Sequence, residues 1–318
     1  MKKLLVTVAA ILAIAMLTGC PGAPKDTDGS GSNSGNGSSA GTGNGGNGSG
    51  GGSGAGTGSS GSGGGNETPA VTQKTIKNVP DAIGDIVLKD GKAIAYYDGL
   101  TLTDAEKADA IAVIFYAGGD NELGSRKLGV GLYEYCHTRS YYAQNSNTTG
   151  RKTNDANDET NGLNNQKVME NYDDYKTQFI SDFDSDHLDN LDYPAFYWTG
   201  NYYDWDGVDI PWDESNPNAL CKNWYVPATK ELKKLLEQST IVNKAFAKIS
   251  DTADKFTETG YKSYWSSTTD NNPTNSISPE KYENAYYFIL EPQATTKVQG
   301  PYSIKKDSAL AVRAVHAF

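Results

Sequence analysis

Four consecutive hydroxyl side chains, Ser266 to Thr269, lie in the stretch "GYKSYWSSTTD" and raise the question of a serine nucleophile. A nucleophilic serine needs an adjacent base, and the region from residue 71 onward contains no G-x-S-x-G elbow. The histidines of the chain are His137, His187 and His316. None has the spacing of an HExxH motif or a zinc site, although a Ser-His-Asp triad assembles in space and is not excluded by spacing. We predict that Ser266 and Ser267 build a strand and its turn, because hydroxyl groups readily bond to backbone at strand ends.

Acidic side chains with the opening spacing of a calcium loop occur at Asp182, Asp184 and Asp186. The EF-hand pattern then fails, because His187 occupies the position of the required glycine and Tyr193 that of the bidentate glutamate. A weaker calcium site stays open as an expectation, built from these carboxylates or from Asp204, Asp206 and Asp209. We expect no other metal and no organic cofactor.

The first 19 residues resemble a bacterial lipoprotein signal. Lys2 and Lys3 precede the apolar run "LLVTVAAILAIAML", which ends in the lipobox-like sequence "LTGC". The resemblance implies cleavage before Cys20 and attachment of lipid to its thiol; the alternative is an ordinary secretory signal with a chance cysteine. Several acyl chains anchor a protein stably, so we expect attachment to a membrane through lipid only. Pro21 stands where an aspartate would favour inner-membrane retention in enteric bacteria, which favours the cell surface and the outer membrane.

Residues 20–70 form a second segment, made almost wholly of Gly, Ser, Asn and Thr after the cysteine. It offers too little apolar surface to offset the entropy of ordering, so we predict a disordered linker with a reach of roughly 35–40 Å. Beyond it, residues 71–318 are predicted to fold, with 71–135 either an N-terminal subdomain or part of the same body. The chain has 28 basic and 39 acidic residues, and this balance argues against nucleic acid and anionic lipid as partners.

Two cysteines remain once Cys20 carries lipid. Cys136 and Cys221 lie outside the cytoplasm in this interpretation, where a single disulfide is chemically permitted. Two separate buried thiols are the alternative.

The folded region begins with strands and ends with strands. "IGDIVLKDGKAIAYY" predicts a β-hairpin at Asp90-Gly91. Thr103 with Glu106 predicts a capping box that opens a short helix, and the strands "IAVIFYAG" and "LGVGLYEY" follow it. "PATKELKKLLEQ" predicts a helix that Thr229 caps, and "TIVNKAFAKI" predicts a second amphipathic helix. "SYWSST", "NAYYFIL" and "LAVRAV" then favour strands, which together indicate an α+β protein. Residues 141–218 show almost no helical periodicity and are predicted to be loops.

Three motifs resemble bacterial surface domains with a C-type-lectin-like fold, of the Legionella collagen-like-protein C-terminal and Fibrobacter succinogenes major paralogous types. They are "NWYVPATKELKKLL", "YWSST" at 264–268 and "VRAV" at 312–315, the last with Ala where the family has Pro. The resemblance implies a loop-rich α+β fold with two short helices and small antiparallel sheets. It places six residues in structural roles in the core: Trp224, Pro227, Leu232, Leu235, Trp265 and Arg313.

The sequence upstream of these motifs looks like the N-terminal half of spirochaete lipoproteins of this class. Some of those are similar to variable proteins that retroelements diversify near the C-terminus. The resemblance implies such diversification here as an expectation.

Taken together, these patterns predict a lipid-anchored surface protein that binds an extracellular protein or glycan and is not an enzyme, with no catalytic residue. Tyrosine supplies contact area at low entropic cost, and asparagine supplies adaptable hydrogen bonds. The predicted binding residues follow "YWSST" and the next turn: Asp270, Asn271, Asn272, Asn275, Tyr282 and Tyr302. One alternative is an oxidase of the formylglycine-generating type that modifies sulfatases, which needs reactive thiols or copper. Another is a structural envelope lipoprotein.

Overall fold

Short apolar segments separated by turns produce two antiparallel sheets in the computed structural model of the chain. The structure describes residues 73–135, 155–171, 193–204, 210, 219–270, 284–306 and 308–318. Residues 72–318 form one compact unit. No helix in these described ranges is long and apolar enough to cross a membrane.

The elements are short and follow one another in mixed order. The strands are β1 Ile76–Lys77, β2 Ile86–Leu88, β3 Ala93–Ile94, β4 Ala110–Tyr116, β5 Leu128–Tyr135, β6 Lys262–Thr269, β7 Asn284–Leu290, β8 Val298–Lys305 and β9 Val312–Ala317. The helices are α1 Asp104–Asp109, α2 Gly162–Glu170, α3 Pro194–Gly200, α4 Thr229–Glu237 and α5 Ser239–Ile249, with a 3-10 turn at Tyr202–Asp204. The prediction of an α+β protein with small antiparallel sheets is confirmed.

The larger sheet has six strands in the order β1-β3-β2-β4-β5-β9, and the smaller has the order β6-β7-β8. The predicted hairpin is confirmed, since β2 pairs with β3 around Gly91, whose φ of 81° suits glycine. The predicted capping box is also present, with Thr103 and Glu106 bonding each other's backbone N–H. Because β5 pairs with β9, the five strands of residues 73–135 and the C-terminal strand β9 belong to one sheet.

Hydrophobic clusters cover both faces of the larger sheet. On one face, α4 and α5 contribute Leu232, Leu235 and Phe246 to a cluster with apolar residues of β4. On the other face, α3 and neighbouring segments contribute an aromatic cluster that includes Trp198, Tyr202, Trp224 and Trp265. All seven residues of β4 are buried, as expected of a strand covered on both sides.

The aromatic cluster requires a glycine in β5. A Cβ on Gly131 would lie 2.3 Å from the ring of Tyr202, so only glycine lets this ring approach the strand. The Tyr202 hydroxyl accepts a hydrogen bond from the Tyr133 N–H at 3.0 Å. The 3-10 turn is thereby attached directly to the larger sheet.

The two helices that the resemblance implies are present as α4 and α5, but the prediction that residues 141–218 form loops is wrong in part, because α2 and α3 lie in this region. α2 has weak amphipathic character, and its stability comes from contacts rather than periodicity: the Gln166 side chain donates to the Phe196 carbonyl of α3 at 3.0 Å. α3, "PAFYWTG", is buried along almost its whole length, so it shows no polar face. A further correction concerns Thr229, which is the first helical residue of α4, while Ala228 is its N-cap.

His316 of β9 is buried against aromatic rings and should make the fold acid-sensitive. Its ring lies 5.2 Å from Trp224 and 4.6 Å from Phe318. Burial lowers the pKa of His316 to about 4 from 6.5, with backbone groups at Lys222 and Ala317 opposing the shift. The unfolded chain therefore binds a proton between these pH values more readily than the folded one, and the free energy of unfolding should fall by roughly 3 kcal/mol as pH drops from 6.5 to 4.

Denaturant unfolding at several pH values, compared with His316→Gln, measures this effect. The variant lacks the titrating group and should lose that part of the pH dependence. Parallel stability curves for the two proteins between pH 4 and 6.5 would contradict the prediction.

Candidate functional site

The hydroxyl groups of β6 bind neighbouring segments of the chain. Ser266 accepts a hydrogen bond from the Thr268 N–H at 3.1 Å, and Ser267 accepts one from the Asn165 amide of α2 at 2.9 Å. Both serines are completely buried. The Thr268 hydroxyl donates to the Asp158 carbonyl at 3.0 Å, so β6 supports the segment that leads into α2.

Glu231, in the first turn of α4, is completely buried and accepts hydrogen bonds from several segments. Its carboxylate accepts from Arg126 Nη1 at 2.6 Å, the Gly162 N–H at 3.0 Å, the Tyr225 hydroxyl at 3.2 Å and the Ala228 N–H at 2.9 Å. A buried carboxylate is tolerated only when such partners replace water. These bonds fix the start of α4 relative to α2 and to the segment before β5.

The six predicted core residues all lie in the interior: Trp224, Pro227, Leu232, Leu235, Trp265 and Arg313. Arg313 is ion-paired with Glu134 at 3.0 Å and stacks over the Phe256 ring, with its Cζ 4.4 Å from the ring centroid. A buried guanidinium is stabilised by such a pair.

An aromatic row crosses the smaller sheet from the core to the surface. Trp265 of β6 is opposite Tyr287 of β7, which is opposite Tyr302 of β8. The ring centroids are 6.4 Å apart in the first pair and 5.6 Å in the second. Trp265 is completely buried, Tyr287 is half-buried and Tyr302 is 43% exposed. Burial, and the neighbouring Tyr302, raise the pKa of Tyr287.

Polar groups lie beside the two tyrosines on the same side of the sheet. Ile289 of β7 is opposite Gln299 of β8, and both are half-buried. The Gln299 amide donates to a carboxylate oxygen of Glu291 at 2.8 Å. We call the surface formed by Tyr287, Ile289, Glu291, Gln299 and Tyr302 the tyrosine face.

The predicted binding residues are only partly on this surface. Tyr302 belongs to β8 and not to a turn, and Asn271, Asn272, Asn275 and Tyr282 lie outside the described residues. Asp270 is only 4% exposed, so its prediction as a residue of the exposed surface is wrong. The Tyr286 hydroxyl donates to its carboxylate at 3.0 Å, and burial together with this bond raises the pKa of Tyr286 to about 12.

The other predicted sites are described only in part. Cys221 is buried, while Cys20 and Cys136 lie outside the described residues, so the lipidation and the disulfide stay predictions. Asp204 is exposed, and Asp206 and Asp209 lie outside the same ranges. Among the residues that the structure describes, no group of three or more His, Cys, Asp or Glu side chains could hold a metal ion.

Sequence reasoning missed the role of Tyr287, Gln299 and Glu291. The alternation in "NAYYFIL" indicates which residues share a face, but only the strand pairing places Tyr287 beside Tyr302. A search for an aromatic residue at matching positions of consecutive strands could have found the pair.

Comparisons with known proteins assign no family to this chain. No family model matches it, and a search of curated proteins finds no match. Among solved structures, a fimbrial protein from Bacteroides ovatus ATCC 8483 aligns with a TM-score of 0.46 and 18% identity over 74% of this chain. The alignment covers 49% of that protein, so this chain spans about half of its length. This similarity is too low to assign a function.

The aromatic row predicts that core and surface respond differently to truncation. Trp265→Ala should cost about 3–5 kcal/mol of unfolding free energy, because it removes a completely buried indole. Tyr302→Ala should cost only about 1 kcal/mol, the value of a partly exposed aromatic pair. Denaturant unfolding of the two variants measures the difference, and equal losses would show that the tyrosine face belongs to the core.

Proposed function

We propose that this chain is a lipid-anchored protein of the bacterial surface whose C-type-lectin-like domain binds an extracellular ligand through the tyrosine face. The observation that carries the proposal is the exposed ring of Tyr302, supported through Tyr287 by the buried Trp265. A ring held in this way loses little entropy when a ligand covers it.

The meeting of the three resemblance motifs supports the proposed fold. Tyr225 exchanges two backbone hydrogen bonds with Val315 of β9, at 3.0 and 2.9 Å. The Trp265 N–H donates to the Ala311 carbonyl, and the Ser267 N–H donates to the Pro227 carbonyl, at 2.9 and 2.8 Å. These segments lie roughly 40 to 90 residues apart in the sequence, and their contact is compatible with the fold that we propose.

Binding fits the chain better than catalysis. The hydroxyls of Ser266 to Thr269 in β6 are buried and hydrogen-bonded within the chain. Cys221 is also completely buried, and an oxidase of the formylglycine-generating type needs thiols that a substrate can reach. The tyrosine face instead offers ring, aliphatic and amide surface, the composition of a recognition site.

Surface location is proposed from the sequence of the first 70 residues. The signal, Cys20 and the Gly- and Ser-rich linker would place the domain tens of ångströms from the membrane. This distance suits a domain that binds a target outside the cell. Calcium and retroelement diversification remain expectations that the binding proposal does not require.

Adhesion of cells that display the full-length chain tests the proposal. We expect such cells to attach to at least one surface coated with extracellular-matrix protein, mucin or polysaccharide, and Tyr302→Ala to reduce attachment about tenfold. Ile76→Ala is the control, because Ile76 is 58% exposed and lies in β1, at an edge of the larger sheet and away from the tyrosine face.

Surface display is measured in the same cells by protease accessibility, so that loss of adhesion is not confused with loss of the protein. Cys20→Ser should move the chain from the membrane to the soluble fraction. If cells that display equal amounts of the Tyr302→Ala variant attach as well as cells with the unchanged chain, the proposed site is overturned.

A further inference from the structure

The geometry of the tyrosine face points to a ligand class: we infer that it binds a neutral glycan by stacking a pyranose ring on Tyr302, without calcium. This inference rests on the proposed binding function and makes it more specific. It is carried by the arrangement of one exposed ring, one amide and one carboxylate on the same side of β7 and β8.

The exposed ring provides the stacking surface. Tyr302 is 43% exposed, and its ring centroid lies 5.6 Å from that of Tyr287 with an angle of 43° between the rings. The C–H groups of a pyranose form a flat apolar patch that carries slight positive charge. Such a patch matches the size and the negative face of an aromatic ring.

The amide and the carboxylate provide hydrogen bonds at the edge of that ring. Gln299 has one amide group with donors and an acceptor, and Glu291 has two acceptor oxygens. The bond of 2.8 Å between them orients both groups before a ligand arrives. Sugar hydroxyls, which are donors and acceptors at once, can bond to either, whereas a purely apolar ligand would leave both groups without water.

The backbone of β8 disfavours an extended peptide as the ligand. β8 is the edge strand of the smaller sheet, where a peptide could add as a further strand. Its exposed centre contains Pro301, which has no backbone N–H to offer, next to Gly300. Recognition through side chains on the face is therefore favoured over pairing along the edge.

Charge selects neutral sugars over acidic ones. Glu291 lies on the face itself, and the chain as a whole has a net charge of −11. Lys297 and Lys305 are exposed near the ends of β8, but neither belongs to the tyrosine face. A carboxylated or sulfated glycan placed over Tyr302 would therefore meet a carboxylate of like sign.

The test is binding of the full-length chain, presented on cells or in detergent micelles, to an array of immobilised neutral glycans and sulfated polysaccharides. We expect binding to at least one neutral glycan, unchanged by EDTA. Tyr302→Ala should weaken it about tenfold and Gln299→Ala about fivefold. Tyr302→Phe, which keeps the ring, should stay within about twofold, and Ile76→Ala should bind as the unchanged chain does.

Each result has one interpretation. No neutral glycan bound, binding only to sulfated polysaccharide, binding abolished by EDTA, or binding indifferent to Tyr302→Ala would overturn the inference. If Tyr302→Ala still abolishes cell attachment while no glycan is bound and enzymatic deglycosylation of the target has no effect, the proposed binding function stands and the glycan is excluded. If attachment is also indifferent to Tyr302→Ala, both proposals fail.

Discussion

The buried carboxylate of Glu231 is the constraint on which the arrangement of the domain depends. It accepts hydrogen bonds from Arg126 before β5, from Gly162 of α2, and from Tyr225 and Ala228 in the segment that leads into α4. Removing a carboxylate from water is costly, so the group is stable only when these donors are present together. One side chain thus makes the positions of α2, α4 and the segment before β5 depend on one another.

The same arrangement explains how a rigid surface arises in a domain with short elements. Hydroxyl groups of β6 bond to the segment before α2 and to α2 itself, while Trp265 of the same strand fills the aromatic cluster. β6 is therefore fixed on both of its faces. Because β7 and β8 pair with it in turn, the position of Tyr302 is determined by the core although the ring itself meets solvent.

The sequence predicts the elements with strong local signals and misses those held by distant partners. The hairpin at Gly91 and the capping box at Thr103 depend on nearby residues, and both were predictable. α3 is buried along almost its whole length, and the register that joins Tyr287 to Tyr302 is set by pairing of whole strands, so neither is visible in a local pattern. Asp270 was predicted to lie in an exposed loop, yet it is buried and accepts a hydrogen bond from Tyr286 of the next strand.

The strand order has a mechanical consequence. β1, through which the chain enters the described unit, is at one edge of the larger sheet and pairs with β3 over only two residues, Ile76 and Lys77. β8 belongs to the other sheet, which contacts the larger one at Ala311 beside β9, the opposite edge. A force applied to the amino-terminal side of the unit would separate β1 from β3 first, several strands from Tyr302. A ligand bound at Tyr302, as we propose, would then stay bound after β1 has separated from the sheet.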